Sequence, residues 1–155
     1  MSAFIVAAAR TLIAPKGGLF KETPLHELAA SALRMVAQGR TPDSVILGNA
    51  LGAGGNPARV GAIAAFGEGM TALTVDTQCC SGMDAIALAA DRVSGRDRGA
   101  SVIAGGIESF SVAPARFWQT PQGLMAYEQA QFAPNPDQDP DVLQAAQQFA
   151  IDHSI

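Results

Sequence analysis

Cysteine is nearly missing: the 155 residues hold two, and they are neighbours, Cys79 and Cys80. Adjacent thiols make no disulfide framework, and their spacing is wrong for a CxxC redox or zinc site. Histidine is as scarce. His26 and His153 stand apart in the sequence, so no metal-ligand cluster is expected. Charged residues make up only 15% of the chain, with a net charge of −4 and no Lys/Arg block, which argues against nucleic acid or an anionic membrane surface as a partner. Arg92, Arg96 and Arg98 do cluster, but at a helix C-terminus, where cations suit the dipole. No apolar run approaches the roughly 20 residues of a membrane span, and the N-terminus carries no signal-peptide pattern. A reducing cytoplasm is the expected location.

What the chain has in quantity is small apolar residues, 48% hydrophobic overall with 16 glycines. Its length suits one domain with a sizeable core. Residues 3–9, AFIVAAA, form a short continuous apolar run, expected of a strand buried on both faces. Thr23 and Pro24 then read as an N-cap and first helical residue. Leu25, Leu28, Ala29, Ala32, Leu33 and Val36 recur at helical spacing up to Gly39. SVILG, 44–48, predicts a second buried strand. The loop after it carries Gly52, Gly54 and Gly55 and ends at Asn56-Pro57, a cap and helix start. Neither GxxxxGK[ST] nor GxGxxG is met there, so a tight connection is expected rather than a phosphate cradle. A small-residue helix runs from Ala58 to Phe66. Strands at 72–77 and 100–104 complete a βαβαβαβ order, which predicts an α/β fold with a mostly parallel sheet.

The stretch ALTVDTQCCSGMDAIALAADRVSG, 72–95, is the centre of interest. Cys79 falls where strand gives way to helix, and Cys80, Ser81 and Gly82 open the helix. The unpaired N–H groups and positive dipole end of a helix start favour a thiolate over a thiol, which makes Cys79 a candidate nucleophile. The following Ser-Gly permits a tight turn and close backbone approach. From Met83 to Val93 the helix is apolar apart from Arg92 and Asp84 and Asp91, which share one stripe. It is expected to be a buried strut.

Beyond Ser111 the character changes. Residues 112–141 carry Pro114, Pro121, Pro134, Pro136 and Pro140 with several large aromatics, including Trp118 and Tyr127, and little periodicity. Asp139-Pro140 can start a helix through Phe149. So long an irregular segment reads as a lid or as the start of a further region, giving an α/β domain over 1–112 and an incomplete loop region over 113–155.

QCCSGMDAIALAA with GGIESFSVAP, the opening IVAAARTLI, and GNALGAGGNPAR together resemble the N-terminal half of thiolases, the acyl-CoA C-acyltransferases. The resemblance covers about residues 3–116 and continues weakly to DVLQAAQQFAIDHSI. It implies the N-terminal half of a five-layered α/β/α/β/α architecture. It also implies that Cys79 accepts an acyl group from acyl-CoA as a thioester, for Claisen condensation or thiolysis, with its own backbone N–H helping to hold the oxyanion. Coenzyme A enters as part of the substrate, and no permanently bound cofactor or metal is expected.

The family's remaining catalytic groups belong to a C-terminal half: an asparagine and a histidine for a second oxyanion hole, a histidine that activates the nucleophile, and an acid/base cysteine. No cysteine follows Cys80 here, and His153 lies in the wrong context. The expectation is therefore half of a thiolase site, completed by a missing C-terminal half or a partner chain. A homodimer or hetero-oligomer is expected as well. The competing readings are a non-catalytic scaffolding subunit and an inactive fragment that aggregates through exposed apolar faces.

Overall fold

The computed structural model describes residues 2–52, 54–95, 99–128, 130–139 and 141–155. They fall into two compact units, 1–114 and 115–155.

The first unit is built on SVILG. This strand, β1 (Ser44–Gly48), is buried at all five positions. It pairs in parallel with β2 (Ala72–Val75) on one side and β3 (Val102–Gly106) on the other, giving the order β2-β1-β3. A central parallel strand must be apolar on both faces because helices cover both. Val45 and Leu47 face α1 (Leu25–Ala37) and α2 (Pro57–Phe66), where they pack with Leu33, Ala58 and Ala62. Ile46 points the other way, against Ala85 and Ala89 of α3 (Ser81–Ser94). The result is an α/β/α sandwich. Each fully buried aliphatic side chain of this kind contributes about 1.5–3 kcal/mol.

Helix ends follow local chemistry. Asn56 caps α2 by accepting from Arg59 N, and its side chain also ties the helix start to β2 through Thr74 and Ala72 O. Thr23 does not cap α1. The helix begins one residue later than expected, after Pro24, with no side-chain cap, and the Thr23 amide donates to Phe20 O in the preceding turn. It ends in left-handed Gln38 followed by Gly39. Gly61 of α2 serves packing: a Cβ there would lie 2.6 Å from the Ala29 Cβ, so the two helices touch at that point.

Three larger expectations are also corrected. Residues 3–9 form no strand. Phe4, Ile5 and Val6 are more than 80% exposed, since a strand needs a neighbour to complete its ladder and no described segment supplies one. The helix at 83–93 is not a buried strut among the described residues. One stripe packs on the sheet while Met83 faces outward and Ile86 and Leu88, on the two flanks of the helix, stay half-exposed, because no described element of the first unit covers them. The segment after Ser111 is also more regular than its prolines suggest. Arg116–Thr120 (β4) and Gly123–Tyr127 (β5) make an antiparallel hairpin, its turn at Pro121-Gln122 closed by the Thr120 hydroxyl on Gly123 O. Trp118 and Tyr127 stack on one face of it, ring centroids 4.8 Å apart. A 3-10 turn at Pro136–Gln138 precedes α4 (Val142–His153), which is capped by Asp141. Pro140, expected at the start of that helix, lies outside the described residues, as do Arg96 and Arg98. The strands themselves are displaced slightly from expectation: β2 stops at Val75, and β3 starts at Val102.

Candidate active site

The sheet places its C-terminal strand ends beneath the start of α3, and glycines make that contact possible. A Cβ on Gly48, at the end of β1, would sit 2.3 Å from the Ser81 carbonyl carbon and 2.5 Å from Gly82 N. A Cβ on Gly82 would in turn lie 3.5 Å from the Gly106 Cα at the end of β3. Strand ends and helix start therefore meet backbone to backbone.

The strand ends are fastened beyond the last residues of the ladder. Asn49 N donates to Val75 O, and Ile107 N donates to Gly48 O. The Asn49 side-chain amide donates to Ile107 O and to Glu108 Oε1, both at 2.9 Å. Glu108 Oε2 accepts from the amides of Ala50 and Leu51 at 2.9 and 3.0 Å. This carboxylate thus holds the start of the glycine-rich loop, and Gly54 and Gly55 turn the chain at positive φ into Asn56.

Between β2 and α3 the chain makes one sharp turn, Asp76 to Cys80. Gln78 sits in the left-handed region at φ 57°, a conformation costing an L-residue about 1–2 kcal/mol. Three contacts stabilise it. Asp76 Oδ1 accepts from Gln78 N at 3.0 Å. The Ser81 hydroxyl accepts from Thr77 N at 2.9 Å and donates to Gln78 O at 2.6 Å. The turn is closed by Cys80 N on Thr77 O and Ser81 N on Gln78 O. Cys79 lies inside this frame, immediately before the helix cap Cys80.

Both thiols are free and exposed. An exposed thiol on a rigid turn, just ahead of a 14-residue helix, is open to an incoming electrophile and close to the positive end of the helix dipole. No group of three or more His, Cys, Asp or Glu suited to a metal occurs among the described residues. No helix among them is long and apolar enough to cross a membrane.

Sequence reasoning singles out Cys79 but misses its frame. Ser81 reads only as half of a turn-permitting Ser-Gly pair, and Glu108 only as part of a motif. Asn49 and Glu108 do carry a readable signal: each is a polar residue just past the end of a buried parallel strand, where side chains can bridge neighbouring strand ends.

The model for the thiolase N-terminal domain matches residues 3–134 of this chain. A Bacillus subtilis protein whose name assigns it provisionally to acetyl-CoA C-acetyl transfer is 37% identical over 158 residues, covering 100% of this chain and 40% of its own length. An acetyl-CoA acetyltransferase of Shinella zoogloeoides is 38% identical over 119 residues, covering 71% of this chain and 30% of that protein. In three dimensions, the crystal structure of a Bacillus anthracis acetyl-CoA acetyltransferase superposes with a TM-score of 0.79 at 27% identity, over 97% of this chain and 42% of that one. The chain thus spans less than half the length of these relatives.

Proposed function

This chain belongs to the thiolase family through that family's N-terminal domain, and from this premise we propose that Cys79 is the acyl acceptor of a thiolase-type acyltransferase. The observation that carries the reading is an exposed thiol, on a turn fixed by side chains, at the start of a helix seated on the ends of parallel strands. The Cys79 thiolate attacks the thioester carbonyl of an acyl-CoA, forming a new C–S bond. Coenzyme A leaves as its thiolate and takes up a proton. In condensation, the α-carbanion of a second acyl-CoA then attacks the enzyme-bound acyl group and releases Cys79. In degradation, Cys79 instead attacks the β-keto carbonyl of a 3-oxoacyl-CoA, and the Cα–Cβ bond breaks. Acetyl-CoA leaves as its α-carbanion and takes up a proton, and free coenzyme A then takes the acyl group from Cys79. The backbone N–H of Cys79 is one donor to the developing oxyanion. Splitting the reaction through a covalent intermediate replaces one difficult step with two easier ones.

Enolising the second substrate needs an acid/base group, and beyond the thiols this turn carries only the Asp76 carboxylate, which accepts from Gln78 N to hold the turn. The remaining catalytic groups come from a C-terminal thiolase half, on the same polypeptide or on a partner subunit. The coverage of 40% and 42% of the relatives' lengths supports this.

The test is acyl transfer to the 155-residue chain. After incubation with radiolabelled acetyl-CoA and digestion, the label is expected on Cys79 and is lost in Cys79→Ala. Absence of label, or label on another side chain, overturns the reading. Thiolysis of acetoacetyl-CoA by this chain alone is expected to be negligible and to appear when a C-terminal half is added.

A further inference from the structure

We propose that Ser81 is a positioning residue for Cys79, acting by holding Gln78 in its left-handed conformation; the proposal rests on the acyl-acceptor reading above. Ser81 is 4% exposed, yet its hydroxyl does not serve the helix it opens. It reaches back instead, accepting from Thr77 N and donating to Gln78 O, so that one oxygen clamps the two residues preceding the nucleophile. Gln78 has no intrinsic reason to adopt φ 57°, unlike a glycine or an asparagine. Asp76 assists from the other side through Gln78 N. Ser81 itself cannot drift, because Gly48 brings the end of β1 against its carbonyl. The position of the Cys79 Sγ relative to the helix start is therefore relayed from the sheet, through Ser81, to the turn.

Without the hydroxyl, Thr77 N is left without its acceptor, and Gln78 can relax toward negative φ, turning Cys79 away from the helix start. A glycine at 78 accepts positive φ at no steric cost, so Gln78→Gly should compensate for the loss of Ser81. A residue that merely fills space would not be rescued in this way.

The experiment uses the full 155-residue chain in a Cys80→Ser background, so that a single thiol is read. Alkylation of Cys79 by iodoacetamide at pH 7 is timed by mass spectrometry against a cysteine-containing peptide of the same local sequence. The parent is expected to react about tenfold faster than the peptide. Ser81→Ala should fall to within about threefold of the peptide, and Ser81→Ala with Gln78→Gly should recover most of the lost rate. A parent no faster than the peptide overturns the acyl-acceptor reading, and this inference with it. A fast parent whose rate survives Ser81→Ala overturns the inference alone. Loss in Ser81→Ala that Gln78→Gly fails to restore also overturns it, since unfolding of the variant gives that result.

Discussion

At the scale of the residue, the most constrained position near Cys79 is a glycine with an ordinary backbone conformation. Gly48 is required by proximity, because any Cβ there meets the Ser81 and Gly82 backbone, which has no rotamer with which to yield. Gly48→Ala is expected to lower stability by about 1–3 kcal/mol, as overpacking does in closely packed interiors. The shift in its urea midpoint should be accompanied by slower alkylation of Cys79. An unchanged midpoint would mean that the helix start moves more freely than the contact implies. The sequence marks Cys79 because residue type and corner placement are local signals. It cannot mark Gly48 or Ser81, whose importance exists only once residues far apart in the chain are brought together.

At the scale of the element, the helix and strand starts legible in the sequence are those whose signals lie within a few residues. SVILG has to be central because it is apolar at alternate positions facing both ways. Asn56-Pro57 has to start α2 because the cap and the missing N–H both suit a first turn. Asn56→Ala removes that cap together with the links to Thr74 and Ala72 O, and should cost about 0.5–2 kcal/mol, toward the upper end, by urea denaturation. A loss near zero would place the stability of α2 entirely in its packing against α1. Residues 3–9 mislead because periodicity reports burial on both faces but says nothing of a ladder partner. The β4–β5 hairpin is hidden for the opposite reason. Pro121 looks like a breaker, whereas here it occupies the turn, where its lack of an N–H is harmless, and the diagonal stacking of Trp118 on Tyr127 across the strands is not a local signal.

At the scale of the whole molecule, apolar surface is distributed unusually. Phe4, Ile5 and Val6 are 82, 84 and 87% exposed, Met83 is exposed on the outer side of α3, and Ile86 and Leu88 are half-exposed on its two flanks. Contiguous apolar patches on soluble chains mark surfaces that associate. Light scattering of the isolated chain at micromolar concentration is therefore expected to report species larger than a monomer. Ile5→Lys with Val6→Lys should reduce that fraction without lowering the urea midpoint, since neither side chain belongs to the core. A monodisperse monomer would show that these surfaces are tolerated in water. The α/β plan is legible at this scale from the order of apolar runs alone, whereas the cover over each face depends on contacts that no single run encodes.

The glycine contact beneath α3 has a further consequence for how reactivity would be lost. Catalytic groups carried on surface loops can fray while the rest of a domain stays intact. Here the corner bearing the thiol is wedged against the central strand, the most deeply enclosed part of the first unit. Heating should leave the corner in place until the sheet itself melts, so that chemical competence and global structure disappear in a single cooperative transition.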